Sequence, residues 1–330
     1  MEGEAKKNIL FLLGSYKHSR HFEEHYESLA GKTIVDYLDA KAISHTNPIP
    51  LSSYQTDMTL ASIADQAEKL NNPENRIVAI AFGGDAFALP GNFAAHTYTI
   101  PVIGVPFFTA NNYGSGIDAF TAVANLPLDT VAGCMPVHHE KTMPSLDKAV
   151  LIAEKILNLD KEIASVDEEN LLLIAPLHEK SIGRDRAKLV LDRRDEIKGG
   201  EVNGLGIPYK HIETPQYERY HMPIHIAMSD KDIIEYDPKC YVALQCMKVI
   251  QTTTGADFLA TINALGSTKN TLYFGHAGNA ALFLARSLAL ISPDVRSRLK
   301  LFNHDIAAKL RRPELYCQGI KLYDAFRHKR

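Results

Sequence analysis

The chain has 330 residues, 45% of them hydrophobic and 23% charged, enough for about two domains with sizeable cores and too apolar for widespread disorder. Thirty-six Lys and Arg against 39 Asp and Glu leave a net charge of −3, so no global positive field exists to hold nucleic acid by counterion release. No stretch approaches the ~20 apolar residues of a membrane span, and Ile9–Leu13 falls short of the ~7–15 of a signal-peptide core. Cys134, Cys240, Cys246 and Cys317 form no CxxC pair, which suits four reduced thiols. A soluble, cytoplasmic protein is the expectation, without nucleic-acid or membrane partners.

Taken in chain order, Ile9–Leu13 is an apolar run closed by Gly14-Ser15 and reads as a buried strand entering a turn. A first helix fits residues 19–30, and Tyr37–Ser44 reads as a second strand. Leu60, Ile63, Ala64, Ala67 and Leu70 follow helical spacing. Ile77–Ala81 is the next buried strand, ending at Gly83-Gly84. A helix over 86–96, a strand at Pro101–Val105 and helices over 116–126 and 145–158 follow. A charged stretch containing residues 161–169 then serves as a linker. The second half restarts at Leu171–Ala175 and ends with strands at Tyr241–Met247 and Thr271–Phe274, a helix from Thr254, and another at Asn279–Ile291. Apolar strands without period-2 polarity, alternating with helices, predict a parallel sheet covered on both faces.

Gly116–Pro127 can be laid on Gly255–Gly266 so that Gly116 meets Gly255, Asp118 meets Asp257 and Leu126 meets Leu265, which suggests internal duplication. The expected organisation is a first α/β domain over 1–160, a linker over 161–169, a degenerate second copy over 170–312 and a tail helix over 313–330.

Three places suggest chemistry. Gly14-Ser15 stands where an open α/β sheet binds ligands, with Lys17, His18, Ser19 and Arg20 nearby as donors to a phosphate. Gly83-Gly84 after a strand allows close approach of the backbone to a ligand, and Leu89-Pro90-Gly91 is expected to fix the following turn. Ile43-Ser44-His45-Thr46-Asn47-Pro48 puts an imidazole at the expected carboxyl end of the second strand, where it can relay protons near neutral pH.

Together these motifs resemble the PurE family, the phosphoribosylaminoimidazole carboxylases and carboxyaminoimidazole ribonucleotide mutases of purine biosynthesis. That family opens with a strand and Gly-Ser-x-Ser-Asp, continues with Ser-Ala-His-Arg-Thr-Pro, and then shows Gly-Gly-Ala-Ala-His-Leu-Pro-Gly. Here the matching stretches are Gly14-Ser15, His45 with Pro48, Gly83-Gly84, Leu89-Pro90-Gly91, Pro101–Pro106 and Gly116-Ile117-Asp118. In the second half, Gly255-Ala256-Asp257 and Gly278–Ala289 are similar to the family's end. The resemblance implies tandem flavodoxin-like three-layer α/β/α domains with parallel sheets. It further implies a ribonucleotide held by Gly14, Ser15, Lys17, Ser44, Gly83, Gly84, Leu89, Pro90 and Gly91, with His45 as catalytic proton shuttle. No cofactor or metal is implied, carbon dioxide or a carbamate being the co-substrate. Family members form octamers, so four fused chains would rebuild one as a homo-oligomer.

The departures are local. The family's Ser-Asp after Gly-Ser is Lys17-His18 here, and the Ser and Arg flanking its histidine are Ile43 and Thr46. Such erosion also fits a paralogue that binds a nucleotide without turnover, or one that carboxylates another heterocycle, as the similarly folded enzymes of nickel-pincer cofactor synthesis do. His21-Phe22-Glu23-Glu24-His25 matches the H-x-x-E-H of a zinc hydrolase, but an exposed polar helix face explains it as well.

Overall fold

The computed structural model describes residues 5–13, 32–46, 49–50, 56–70, 74–83, 88–108, 133–134, 138–139, 144–162, 172–174, 190–191, 194–197, 201–203, 205–212, 224–227, 243–247, 271–274 and 277–310. The first half contains β1 (Lys6–Leu13), α1 (Ile34–Ala40), β2 (Ser44–His45), β3 (Ile49–Pro50), α2 (Thr56–Leu70) and β4 (Asn75–Gly83). It continues with α3 (Ala88–Tyr98), β5 (Val102–Phe108), β6 (Gly133–Cys134), β7 (His138–His139), α4 (Pro144–Leu157) and a short α5 (Leu159–Glu162). The second half contains β8 (Leu172–Ile174), β9 (Arg194–Ile197), β10 (Glu201–Asn203), β11 (Lys210–Ile212), β12 (Ile224–Ala227), β13 (Ala243–Met247), β14 (Thr271–Phe274), α6 (Ala277–Leu288) and α7 (Pro293–Leu310).

The apolar runs become central strands because both their faces are covered. In β1, Ile9–Leu13 is buried without alternation, and Ile77–Phe82 of β4 is buried likewise. The two strands pair in parallel from Lys6↔Asn75 to Leu13↔Phe82, and β4 pairs in parallel with β5 up to Gly83↔Pro106. Side chains of alternating parity enter opposite layers. Ile9, Phe11 and Leu13 pack with Val78, Ile80 and Phe82 against Ile34 and Leu38 of α1 and the apolar face of α4.

In the first half the strand order is β2-β1-β4-β5-β6, which is second, first, third, fourth, fifth in chain order. The second half gives β11-β8-β12-β13-β14, the same order. This is the flavodoxin-like α/β arrangement. The duplicated segments proposed from sequence, Gly116–Pro127 and Gly255–Gly266, lie outside the described residues. So do the expected helices over 19–30, 116–126 and from Thr254, the tail over 313–330, and the linker beyond Glu162.

Two features depart from expectation. The strands of the two halves run on in one sheet, because β14 pairs antiparallel with β6 through Tyr273↔Cys134. The core is likewise continuous, with Leu272, Phe274 and the apolar face of α6 in the same cluster as β1 and β4. His96 of α3, whose carbonyl accepts the Asn303 Nδ2 of α7 at 2.9 Å, adds a polar tie between halves. Burial, with help from the Arg286 charge on α6, holds the His96 imidazole below its ordinary pKa.

The second departure is Tyr37–Ser44, expected as one strand. Its first part is helical: the Thr33 hydroxyl accepts from the Asp36 N–H at 3.0 Å, so Thr33 caps α1. Ile34 and Leu38, one turn apart, bury the same helical face. The chain then passes through Ala42 at a φ of 53° before the strand begins. Removing the cap hydroxyl with Thr33→Ala should lower unfolding free energy by about 1 kcal/mol in urea titrations, with Thr33→Ser close to wild type.

Candidate functional site

In an open parallel sheet, ligands gather at the carboxyl ends of the strands, where loops and helix N-termini converge. In the first half that rim is set by Leu13, Gly83 and Phe108, the last residues of β1, β4 and β5. Gly83 has a φ of 151°, a backbone conformation that side-chain-bearing residues rarely adopt, so glycine lets the chain leave β4 sharply at the rim. Gly14, Ser15, Lys17 and Gly84 follow these strand ends in sequence and lie outside the described residues.

Leu89, Pro90 and Gly91 do not form the expected turn. They occupy the first turn of α3, where a proline is tolerated because its missing N–H has no partner inside the helix anyway. Pro90 and Gly91 are buried. A Cβ on Gly91 would stand 3.4 Å from Val102 Cγ1 and 3.6 Å from Ala81 Cβ, so this glycine brings α3 close over β4 and β5.

His45 stands at the carboxyl end of the second strand, as expected from sequence, but that strand is short. It is β2, which covers only part of β1: Ser44 lies opposite Asn8 and His45 opposite Ile9. The chain returns to β1 as β3, with Ile49 and Pro50 opposite Leu12 and Leu13. Thr46, which stands at the family's arginine position, has a local role: its N–H donates to the Ile9 carbonyl at 3.0 Å and its Oγ1 accepts from the Phe11 N–H at 3.1 Å. The His45 ring meets Phe11 edge-on at 6.4 Å, and its Nε2 is 4.0 Å from Asp39 Oδ1 in the last turn of α1.

Because α1 runs back against the strands, its last turn marks the amino side of the sheet. His45 is level with Ile9 and hence with Val78. Gly83 is about 17 Å further along the strands and about 10 Å across two strand spacings. General acid–base transfer needs a heavy-atom approach near 3 Å, or one water between. The imidazole is therefore not brought together with the glycine rim, and Ser44, exposed beside it, is not either. Residues 51–55, between β3 and α2 in sequence, lie outside the described residues. Reading Ile49-Pro50-Leu51 as the end of the strand would have moved the motif there.

The structure reveals one titratable group that sequence reasoning passed over. Asp147 is 6% exposed, in the first turn of α4, and among the described residues its Oδ1 has no hydrogen-bond partner. Burial pushes its carboxyl up to about 6. From sequence, an acidic residue in a first helical turn reads simply as a partner of the helix dipole. Among the described residues no group of three or more His, Cys, Asp or Glu is arranged to hold a metal ion, and His21 and His25 lie outside them. No described helix is long and apolar enough to cross a membrane.

A carboxyl that the fold keeps protonated above its unfolded-state pKa contributes stability below about pH 4 that disappears as pH rises through about 6. Between pH 4 and pH 7 the wild type should therefore lose about 3 kcal/mol relative to Asp147→Asn, measured by urea unfolding across that range.

Comparison with known proteins agrees with this frame. Residues 26–169 match the family model described as AIR carboxylase. No curated protein matches the chain. Among solved structures, a UDP-GlcNAc 2-epimerase from Neisseria meningitidis bound to UDP-GlcNAc is 12% identical, with a TM-score of 0.22, covering 86% of this chain and 99% of that one. A ketoreductase domain from the bacillaene assembly line is 9% identical with a TM-score of 0.22, covering 94% and 79%. Likenesses that faint carry no argument. The family match covers β4 and β5 of the glycine rim, and β1 precedes it.

Proposed function

We propose that this domain is a carboxylase or mutase of the purine-biosynthesis type, acting on aminoimidazole ribonucleotide at the carboxyl rim of β1, β4 and β5. The observation that carries the reading is the AIR carboxylase match over 26–169, on a sheet whose order and glycine-terminated β4 suit a nucleotide. The chemistry asks little of the protein beyond positioning. The ring amino group makes C4 enamine-like; that carbon attacks carbon dioxide, free or released from an N-carboxylate in the pocket, and the C4 proton then leaves. A pocket that excludes water keeps carbon dioxide in place and protects a carbamate.

In this reading Gly14-Ser15 and Gly83-Gly84 approach the ribonucleotide with their backbones, and Lys17 supports its phosphate. The first turn of α3, which follows Gly83-Gly84, offers further unpaired N–H groups for anionic oxygens. The strand register supports a rim site without His45, since the imidazole stands about five residues below it, beside Asp39. The shared strand order of the two halves also supports the duplication, with the second half as a copy of its own.

Incubating the full chain with aminoimidazole ribonucleotide and bicarbonate, and following ring carboxylation by absorbance, should show turnover. His45→Asn should retain it within about threefold. A hundredfold loss in His45→Asn would return the proton to that imidazole. Binding by calorimetry without turnover in the wild type would make the domain a nucleotide-binding module instead.

A further inference from the structure

Like charges meet where the two halves join. Arg286 is 1% exposed on α6, a helix buried from Gly278 to Leu288, and its charge acts on the His96 ring in the last turn of α3. Arg296, near the start of α7, is half-buried and feels the charge of Arg76 at the start of β4. Cations from the second half thus face cations from the first at two places.

Two of these charges have a structural task. Arg76 donates to the Leu157 carbonyl at 3.1 Å and pairs with Asp160, closing the C-terminus of α4. Arg296 donates through Nε to the Ala289 carbonyl at 2.8 Å, at the C-terminus of α6. Cations suit those places, because the last carbonyls of a helix lack partners and carry partial negative charge. A guanidinium does not shed its proton in a protein, so the arginine charges stand at every pH the fold survives. Of the four groups, His96 is the one whose charge changes near neutral pH.

The same residue holds α7. The Asn303 Nδ2 donates to the His96 carbonyl at 2.9 Å, and Asn303 is 6% exposed. That carbonyl belongs to the final turn of α3 and has no partner within the helix, so the second half supplies its donor. Ring and hydrogen bond are therefore one residue's two contacts with the other half. A proton on the ring would set a second cation beside a buried guanidinium, where lost hydration and poorly screened repulsion both oppose it.

The other elements around α3 do not relieve that repulsion. Glu68 of α2, which packs alongside, acts on Tyr98. The stretches of β4 and β5 over residues 77–82 and 102–108 carry no charged side chain. On α7, Lys300 and His304 are exposed, and Arg298 pairs with Asp294. Among the described residues no carboxylate acts on the His96 ring to offset a proton there.

We propose that His96 is a pH-sensitive latch between the two halves: neutral, it lets α6 and α7 sit tight against the end of α3, and protonated, it loosens them. Burial and the Arg286 charge both favour the neutral ring. The joint therefore contributes its full stability above about pH 6.5 and loses it as pH falls below that value. The latch works whatever the first rim binds.

Hydrogen–deuterium exchange of the full chain at pH 7.5 and pH 5.5, corrected for the intrinsic pH dependence of amide exchange, tests it. In the wild type, peptides covering α3 and α7 should lose protection about threefold or more at pH 5.5, while β1 and β4 keep theirs. In His96→Gln, which cannot take up the proton, the same peptides should change less than about twofold. Protected β1 and β4 report that the variant is folded, and His96→Asn takes its place if they are not protected. Equal protection of α3 and α7 at both pH values in the wild type overturns the latch. So does an acid-induced loss that persists without the His96 imidazole, since it then comes from another group such as His304.

Discussion

The parallel pairing of β1 with β4 over eight residues, from Lys6↔Asn75 to Leu13↔Phe82, governs what the first half can do. Each ladder step fixes the level of every side chain along both strands, and a slip of one residue would send the whole apolar set to the wrong face. Ile9–Leu13 and Ile77–Phe82 are buried on both faces, so either slip direction would exchange Ile9, Phe11 and Leu13 for neighbours that fit other partners. With this pair set, Gly83 falls one step beyond Leu13, and β5 follows through Gly83↔Pro106. The rim is thus a consequence of hydrophobic burial in the strands beneath it, not of the glycines themselves.

The same pairing separates two polar groups that composition alone would treat alike. His45 keeps partial contact with solvent, has the Asp39 carboxylate beside it and rests an edge of its ring on Phe11. It sits comfortably at the margin of the sheet, where β2 gives way to β3. Asp147 is buried, and among the described residues its Oδ1 has no partner, which costs a folded protein about 1–3 kcal/mol. Of the two, the carboxyl stands in the first turn of α4, where the helix dipole favours an acidic side chain even as burial opposes its charge.

Much of the architecture is legible in the residues. Uninterrupted apolar runs at Ile9–Leu13, Ile77–Ala81 and Pro101–Val105 name three central strands, and the helical spacing from Leu60 to Leu70 names α2. The error at Tyr37–Ser44 has a physical source. A stretch with Leu38, Ala40, Ala42 and Ile43 satisfies a strand pattern as well as a short helix, and only the Thr33 cap and the Ile34–Leu38 pair decide between them. With most of that stretch helical, His45 ends a two-residue β2 low on β1, level with Ile9. Leu89-Pro90-Gly91 misled in a milder way, since proline and glycine mark a turn in most settings but fit the first turn of a helix packed tightly over Val102. Asp147 was invisible because burial depends on the partner layer, which no window of local sequence contains.

The joining of the halves bears on how many sites one chain can build. Within each half the observed strands of the 2-1-3-4-5 order run parallel, while Tyr273 of β14 meets Cys134 of β6 antiparallel. Strand direction therefore reverses at the centre of the sheet. The carboxyl ends of β8, β12, β13 and β14 face the opposite way from those of β1, β4 and β5, so the second half does not complete the first half's rim by adding its own beside it. What it contributes is a shared core through the apolar face of α6, and a tie from Asn303 of α7 to the His96 carbonyl of α3. A ligand bound at the first rim would be coupled to the second half through α3, by the Asn303–His96 bond, and through the core shared by β1, β4 and α6. In such a fold the second half bears on the first through shared packing, not through a rim of its own beside it.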